Sequence, residues 1–207
     1  MAQLAREAGG DAAARYNPAT ALVVVDMQND FADPAGSLFV AGGDALLGPL
    51  NAEIAAARAA GAPVVFTQDW HPPITPHFQT QGGVWPVHCV RGTWGAELVP
   101  GLDVAGAPVV RKGTGGEDGY SGFTMRDAVS GVDIPTELES LLREAGVTGL
   151  VVVGLALDVC VKATALDGLR LGYDVTVLEA GSRPVELEPG DGASAVEELR
   201  AAGAGVL

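Results

Sequence analysis

An α/β fold is predicted by three observations. Short runs rich in valine and leucine recur along the chain, helix-like stretches lie between several of them, and polar residues collect just past the ends of the runs. Continuous apolar runs suit strands buried on both faces, as in a parallel sheet. Their alternation with helical stretches is the pattern of βαβ units. The expected architecture is a three-layer sandwich with a mostly parallel, Rossmann-like central sheet of about six strands and helices on both faces.

The strands are expected at 20–25 (TALVVV), 63–67 (PVVFT), 107–110 (APVV), 149–153 (GLVVV), 174–178 (DVTVL) and 204–207 (AGVL). Helices are expected at 44–60, 135–145, 158–171 and 191–202, the first three followed by Gly61, Gly146 and Gly172, as helix C-termini favour. Residues 68–106 break the rhythm with a proline-rich connection that holds all 3 tryptophans and all 3 histidines of the chain. A long irregular segment inside a compact domain is functional or mobile. A second one, the glycine-rich 113–134, reads equally as a lid, a pocket wall or plain surface loop.

Length and composition narrow the class. The 207 residues, 48% of them hydrophobic, suit one domain with a core that needs no covalent staples. Residues 16–207 read as that single domain. Residues 1–15, alanine-rich with Arg6, Glu7, Asp11 and Arg15 interspersed, read as an N-terminal leader compatible with disorder. Twelve basic against 26 acidic residues give a net charge of −14, which argues against nucleic acid and anionic membranes as partners. No uncharged apolar run is long enough to span a bilayer. The leader lacks the apolar core of a signal peptide, so a cytoplasmic chain with Cys89 and Cys160 reduced is expected.

In an open parallel sheet, binding residues gather beyond the carboxyl ends of the strands. Asp26 closes the first strand, Asp69 follows the second, Arg111 and Lys112 the third, and Gly154 to Cys160 the fourth. Cys160 follows Asp158, a candidate N-cap, and would sit in a first helical turn where backbone N–H groups favour a thiolate nucleophile. The competing reading is a small buried hydrophobe; Cys89, in a proline-rich loop, is taken as structural. Asp26 is either a turn former or a carboxylate able to take a thiol proton. Lys112 could hold that carboxylate, and Arg111 competes for the role.

Asp69 and His71 are two residues apart, so an extended chain points both to one side, and His77 and His88 lie within reach along a folded loop. A carboxylate with imidazoles suits one divalent transition metal ion and does not discriminate among Zn, Mn, Fe and Ni. Three loop histidines unrelated to metal are the alternative. Phe31, Trp70 and Trp85 could wall an aromatic slot nearby.

The stretches VVVDMQNDF, QDWHPP, WPVHCVRGTWGAEL, RKG and VVVGLALDVCV together resemble the nicotinamidase/pyrazinamidase branch of the isochorismatase-like cysteine hydrolases, from about residue 20 onward. The resemblance implies a catalytic triad of Asp26, Lys112 and Cys160. It implies metal ligation by Asp69, His71 and His88, with His77 a further ligand in some members. It also implies an oxyanion hole from the backbone N–H groups of Ala156 and Cys160, a cis peptide before Ala156, and a pyridine pocket lined by Phe31, Trp85, Tyr120 and Leu155. The activity implied is hydrolysis of nicotinamide, or of pyrazinamide-type amides, through a Cys160 thioester, with a place in NAD salvage and a small-molecule amide as partner. A homodimer stays open. The family commonly has Thr-Asp-Tyr or Thr-Asp-His before its Cys-Val pair, whereas this chain has Leu157-Asp158-Val159. That departure leaves two alternatives standing: a same-family amidase for carbamoyl or maleamate-type amides, and a catalytically silent metal-binding member.

Overall fold

The computed structural model describes residues 14–127 and 130–207. In chain order the elements are β1 (Thr20–Val25), the short α1 (Asn29–Ala32), α2 (Leu47–Ala59), β2 (Val64–Asp69), β3 (Val109–Lys112), β4 (Thr124–Arg126) and β5 (Asp133–Pro135). Then come α3 (Leu138–Glu144), β6 (Gly149–Leu155), α4 (Lys162–Arg170), β7 (Asp174–Arg183), α5 (Asp191–Ala201) and β8 (Gly205–Val206).

Six strands form one sheet in the order β3-β2-β1-β6-β7-β8, and every pairing within it is parallel. Alternate residues of β1 serve opposite layers. Leu22 and Val24 pack with Leu50, Ile54 and Ala57 of α2. Ala21, Val23 and Val25 share the other core with residues of α3, α4 and α5. Both layers are buried, so after Thr20 β1 has no polar position until its end. This is why its sequence is an unbroken apolar run.

The expected elements are present with shifted ends. β2 and β3 run on to Asp69 and Lys112, and β7 reaches Arg183, so these polar residues close the strands. Residues 113–134 hold an element that the sequence did not announce: β4 pairs antiparallel with β5 as a separate small sheet. Strands of three residues carry too little periodicity to be read from sequence. Of the expected leader, residues 1–13 lie outside the described residues. Arg15 pairs with Glu53 of α2 at 2.8 Å.

Chain direction across the sheet reverses between β1 and β6, the switch point where an open α/β sheet leaves a crevice. Gly154 makes that junction tight: its φ is +116°, and a Cβ there would strike the backbone of Val25. Among the described residues no helix is long and apolar enough to cross a membrane.

Candidate active site

Four strand ends converge at the switch point. Asp69 and Lys112 are direct partners in the β2–β3 register, so their side chains leave the same face of the sheet. The period-two alternation also separates Lys112 from its neighbour. Lys112 points inward and is fully buried, while Arg111 points out, its guanidinium 3.9 Å above the Trp70 ring. Lys112 Nζ lies 2.7 Å from Asp26 Oδ2, contacts Asp69 Oδ1 and the Gly119 carbonyl, and is 3.7 Å from Cys160 Sγ. One carbonyl, one thiol and two carboxylates thus surround a single ammonium.

Asp26 follows β1 with φ +48°, a left-handed conformation that costs a non-glycine residue energy and is held by its surroundings. Thr67 of β2 supplies part of that hold: its hydroxyl donates to Asp26 Oδ1 at 2.6 Å and accepts from the Asp26 N–H at 3.2 Å. Burial raises the Asp26 carboxyl to about 6, against the pull of Lys112. Asp69 is shifted the other way. Burial opposes its charge, but Lys112, His71 and His88 hold it well below the usual carboxylate range. Lys112 also resists burial, kept charged by Asp26 and Asp69, and its pKa lies well above that of a free lysine.

Cys160 sits in a π-helical turn, Leu157–Val161, that runs into α4. Two expectations change here. Asp158 is not the N-cap. Its carboxylate accepts the N–H groups of Val185 at 2.8 Å and Glu186 at 2.9 Å, tying the chain after β7 to the turn that carries Cys160. The thiolate is not favoured at rest either. Burial pushes the Cys160 thiol well above its ordinary pKa, more than Lys112 lowers it. The Leu155–Ala156 peptide is cis.

The loop 70–92 brings three imidazoles together. Ligand atoms of His71, His77 and His88 all lie within 4.8 Å of one another, and so do those of Asp26, Asp69 and Cys160. Asp69 Oδ2 joins the two sets, 3.7 Å from His71 Nε2 and 4.0 Å from His88 Nε2. Each outer imidazole is oriented through its Nδ1: His88 donates to the Pro86 carbonyl at 2.7 Å, and His77 meets Asp118 Oδ1 at 2.6 Å. Both are left with Nε2 for another partner. Burial lowers the pKa of His88 to about 4 and also lowers that of His77, favouring the neutral ring that a cation requires.

Both nitrogens of fully buried His71 lack a hydrogen-bond partner. A buried polar atom without a partner is costly, and a divalent cation among these imidazoles would satisfy it. The donor set therefore fits such an ion. Gly113 permits the close packing: its φ is +69°, and a Cβ there would collide with the His71 ring.

A narrow cleft opens over this chemistry. Phe31, Trp85 and Tyr120 line it with His77, His88, Asp69, Ala156 and Cys160. Trp85 Nε1 donates to the Tyr120 hydroxyl at 3.0 Å, fixing one aromatic edge. Leu155 does not reach the cleft; it is fully buried in the core shared with α2. Sequence reasoning missed Leu38, Val40, Val159 and Val185, which complete the apolar wall. It also missed Thr67, Asp118 and Gln28. The Gln28 side chain accepts from the Asp69 N–H and donates to the Asp69 carbonyl, both at 2.8 Å. Short polar residues carry no local mark of such distant partners. Only Val159, already odd beside the nucleophile, had a signal.

Fold and site together define an α/β protein with a buried Asp-Lys-Cys cluster beside a carboxylate-imidazole cation site. The chain belongs to the isochorismatase family, whose domain model matches residues 20–207. It is 40% identical to the nicotinamidase of Escherichia coli over 204 residues, covering 90% of this chain and 93% of that one. Among solved structures it resembles the zinc complex of Pyrococcus horikoshii pyrazinamidase, with 38% identity, a TM-score of 0.80, and 92% and 99% of the two chains covered. It also resembles the yeast nicotinamidase bound to the inhibitor nicotinaldehyde, with 32% identity, a TM-score of 0.83, and 91% and 99% covered.

Proposed function

We propose that this chain is a metal-dependent cysteine amidohydrolase that converts nicotinamide to nicotinate and ammonia, with pyrazinamide-type amides as further substrates. The observation that carries the reading is the Cys160 sulfur, 3.7 Å from the Lys112 ammonium that pairs with Asp26, in a cleft also lined by imidazoles and flat aromatic rings. The relatives named above support the choice of amide.

Asp26, ionised above about pH 6, takes the Cys160 proton as the sulfur attacks the amide carbon. Lys112 keeps its charge throughout and offsets the negative charge that passes between Asp26 and sulfur. The backbone N–H groups of Ala156 and Cys160 are assigned to the developing oxyanion. Collapse expels ammonia, which leaves with the proton held by Asp26, and a thioester remains on Cys160. Asp26 then deprotonates a water that attacks the thioester carbon. Nicotinate departs and the thiol recovers its proton. Asp69, His71, His88 and His77 would hold the divalent ion, which when bound supplies a Lewis-acid anchor for the ring nitrogen and so orients the substrate.

The alternative substrates that carry a carboxylate of their own, such as maleamate-type amides, suit the cleft poorly. Neither arginine nor lysine is among the residues that line it, and buried Lys112 is already engaged by two aspartates. Cytoplasmic residence goes with the reading, which needs Cys160 as a free thiol, the state that a reducing compartment maintains. The test is ammonia release from nicotinamide by the purified protein, before and after chelation, beside a panel of carbamoyl and maleamate-type amides. Metal-dependent release from nicotinamide is expected; preference for an anionic amide would overturn the assignment.

A further inference from the structure

Asp118 lies in the glycine-rich stretch after β3 and belongs to neither the proton-transfer cluster nor the cleft lining. Its place is set by the backbone. The N–H and carbonyl of Asp118 exchange 2.8 Å hydrogen bonds with Arg126 of β4, an antiparallel bridge that ties the loop to the β4–β5 hairpin. The carboxylate then reaches His77 Nδ1 at 2.6 Å. His77 is itself buried and stacks on His71 with ring centroids 4.6 Å apart.

A carboxylate that accepts from one ring nitrogen fixes the tautomer and the ring's rotation, and leaves the other nitrogen as the electron-pair donor. His71 and His88 are placed without Asp118, by the backbone around residues 69–90. The His71 backbone N–H donates to the Cys89 carbonyl at 3.0 Å, and the His88 ring donates to the Pro86 carbonyl. His77 has no other side-chain partner of this kind among the described residues.

We propose that Asp118 is a positioning residue that makes His77 a metal ligand, and that the β4–β5 hairpin is the frame that holds it there. The proposal rests on the reading of Asp69 and the imidazoles as a cation site. It gives a role to the hairpin, and it places the control of the fourth ligand in a segment that sequence alone left as lid or loop.

The test uses the purified full chain, stripped of metal, in wild-type, Asp118→Ala and Asp118→Asn forms, each with and without His77→Ala. Zinc affinity is read by competition with a chromophoric chelator, and coordination by the visible absorption of the cobalt(II)-loaded protein. Asp118→Ala is expected to weaken zinc binding about 10- to 100-fold. Asp118→Asn should fall between, because its amide oxygen can still accept from Nδ1. Neither change should matter once His77 is alanine, and the cobalt spectrum of Asp118→Ala should move to that of His77→Ala. Wild-type zinc affinity in Asp118→Ala, or an equal loss in the His77→Ala background, would overturn the proposal. Failure of the wild-type chain to bind zinc would overturn the underlying cation site instead, and that result is distinct from either.

Discussion

The two halves of the site are built differently. Asp26, Asp69 and Lys112 stand at the ends of strands, and Cys160 in the turn that follows β6, so the parallel ladders that join β3, β2, β1 and β6 set their spacing. His71, His77 and His88 stand on an irregular loop that carries isolated bridges only, His71 with Val90 and Phe78 with Trp85. Single side chains do the work of a ladder there. Gln28 holds Asp69 by its backbone, Asp30 accepts the Cys89 N–H at 2.7 Å beside His88, and Asp118 holds His77. The half assigned to proton transfer is therefore preset by the sheet, while the half assigned to the cation depends on pins that can be removed one at a time. Damage at Asp26 or Cys160 should remove chemistry and spare the metal, whereas Asp69 serves both halves. Damage to the second should loosen the metal first.

The largest expected effect breaks or upholds that division outright. Cys160→Ala should lower nicotinamide hydrolysis by roughly a thousandfold or more with zinc affinity unchanged; near-normal turnover would remove the nucleophile assignment. Lys112→Ala leaves two buried carboxylates without their cation, and a loss of about 3–5 kcal/mol in urea unfolding is expected, with activity lost as well. Asp26→Asn gives the informative contrast. It should abolish turnover yet cost less stability at pH 7 than Lys112→Ala, because Asp69 still pairs with Lys112 and an amide oxygen can still accept the Thr67 hydrogen bond.

A smaller effect comes from pH. Because the Asp26 carboxyl is raised to about 6, kcat/KM should fall as pH drops through that value and the base is protonated. The sign for stability is opposite. A carboxyl raised above its unfolded value contributes stability in acid that is lost as pH rises through about 6, so this group gains in stability as it loses function. An acid limb unaffected by Asp26 substitution would assign the base elsewhere. The smallest effect should come from Asp30→Asn, which keeps one acceptor for the Cys89 N–H. It should weaken zinc binding less than Asp118→Ala and leave Cys160 alkylation by a thiol reagent unchanged; altered alkylation would mean the two halves are not separable.

Much of this arrangement was legible before any coordinates. The apolar runs announced the strands because both faces of the sheet are covered, Asp26, Asp69 and Lys112 were visible as polar residues just past those runs, and Cys160 as the cysteine at the start of the helical pattern after the fourth. Arg111 and Lys112 could not be told apart until the register of β3 showed which one faces inward. The thiolate expected at a helix start gave way to a protonated thiol, since position in a helix is local but burial is not. Asp158 looked like a cap and turned out to anchor Val185 and Glu186 instead, residues that no local pattern connects to it.

The order of apolar and polar residues by itself determined the layered fold, the edge at which chemistry collects and the residue types available there, because strand and helix periodicities are properties of short stretches. Which lysine is buried, which carboxylate is raised and which lowered, and which side chains pin the imidazoles were decided only in the tertiary structure. Those properties depend on desolvation and on partners distant in sequence, and neither exists until the chain has closed around them.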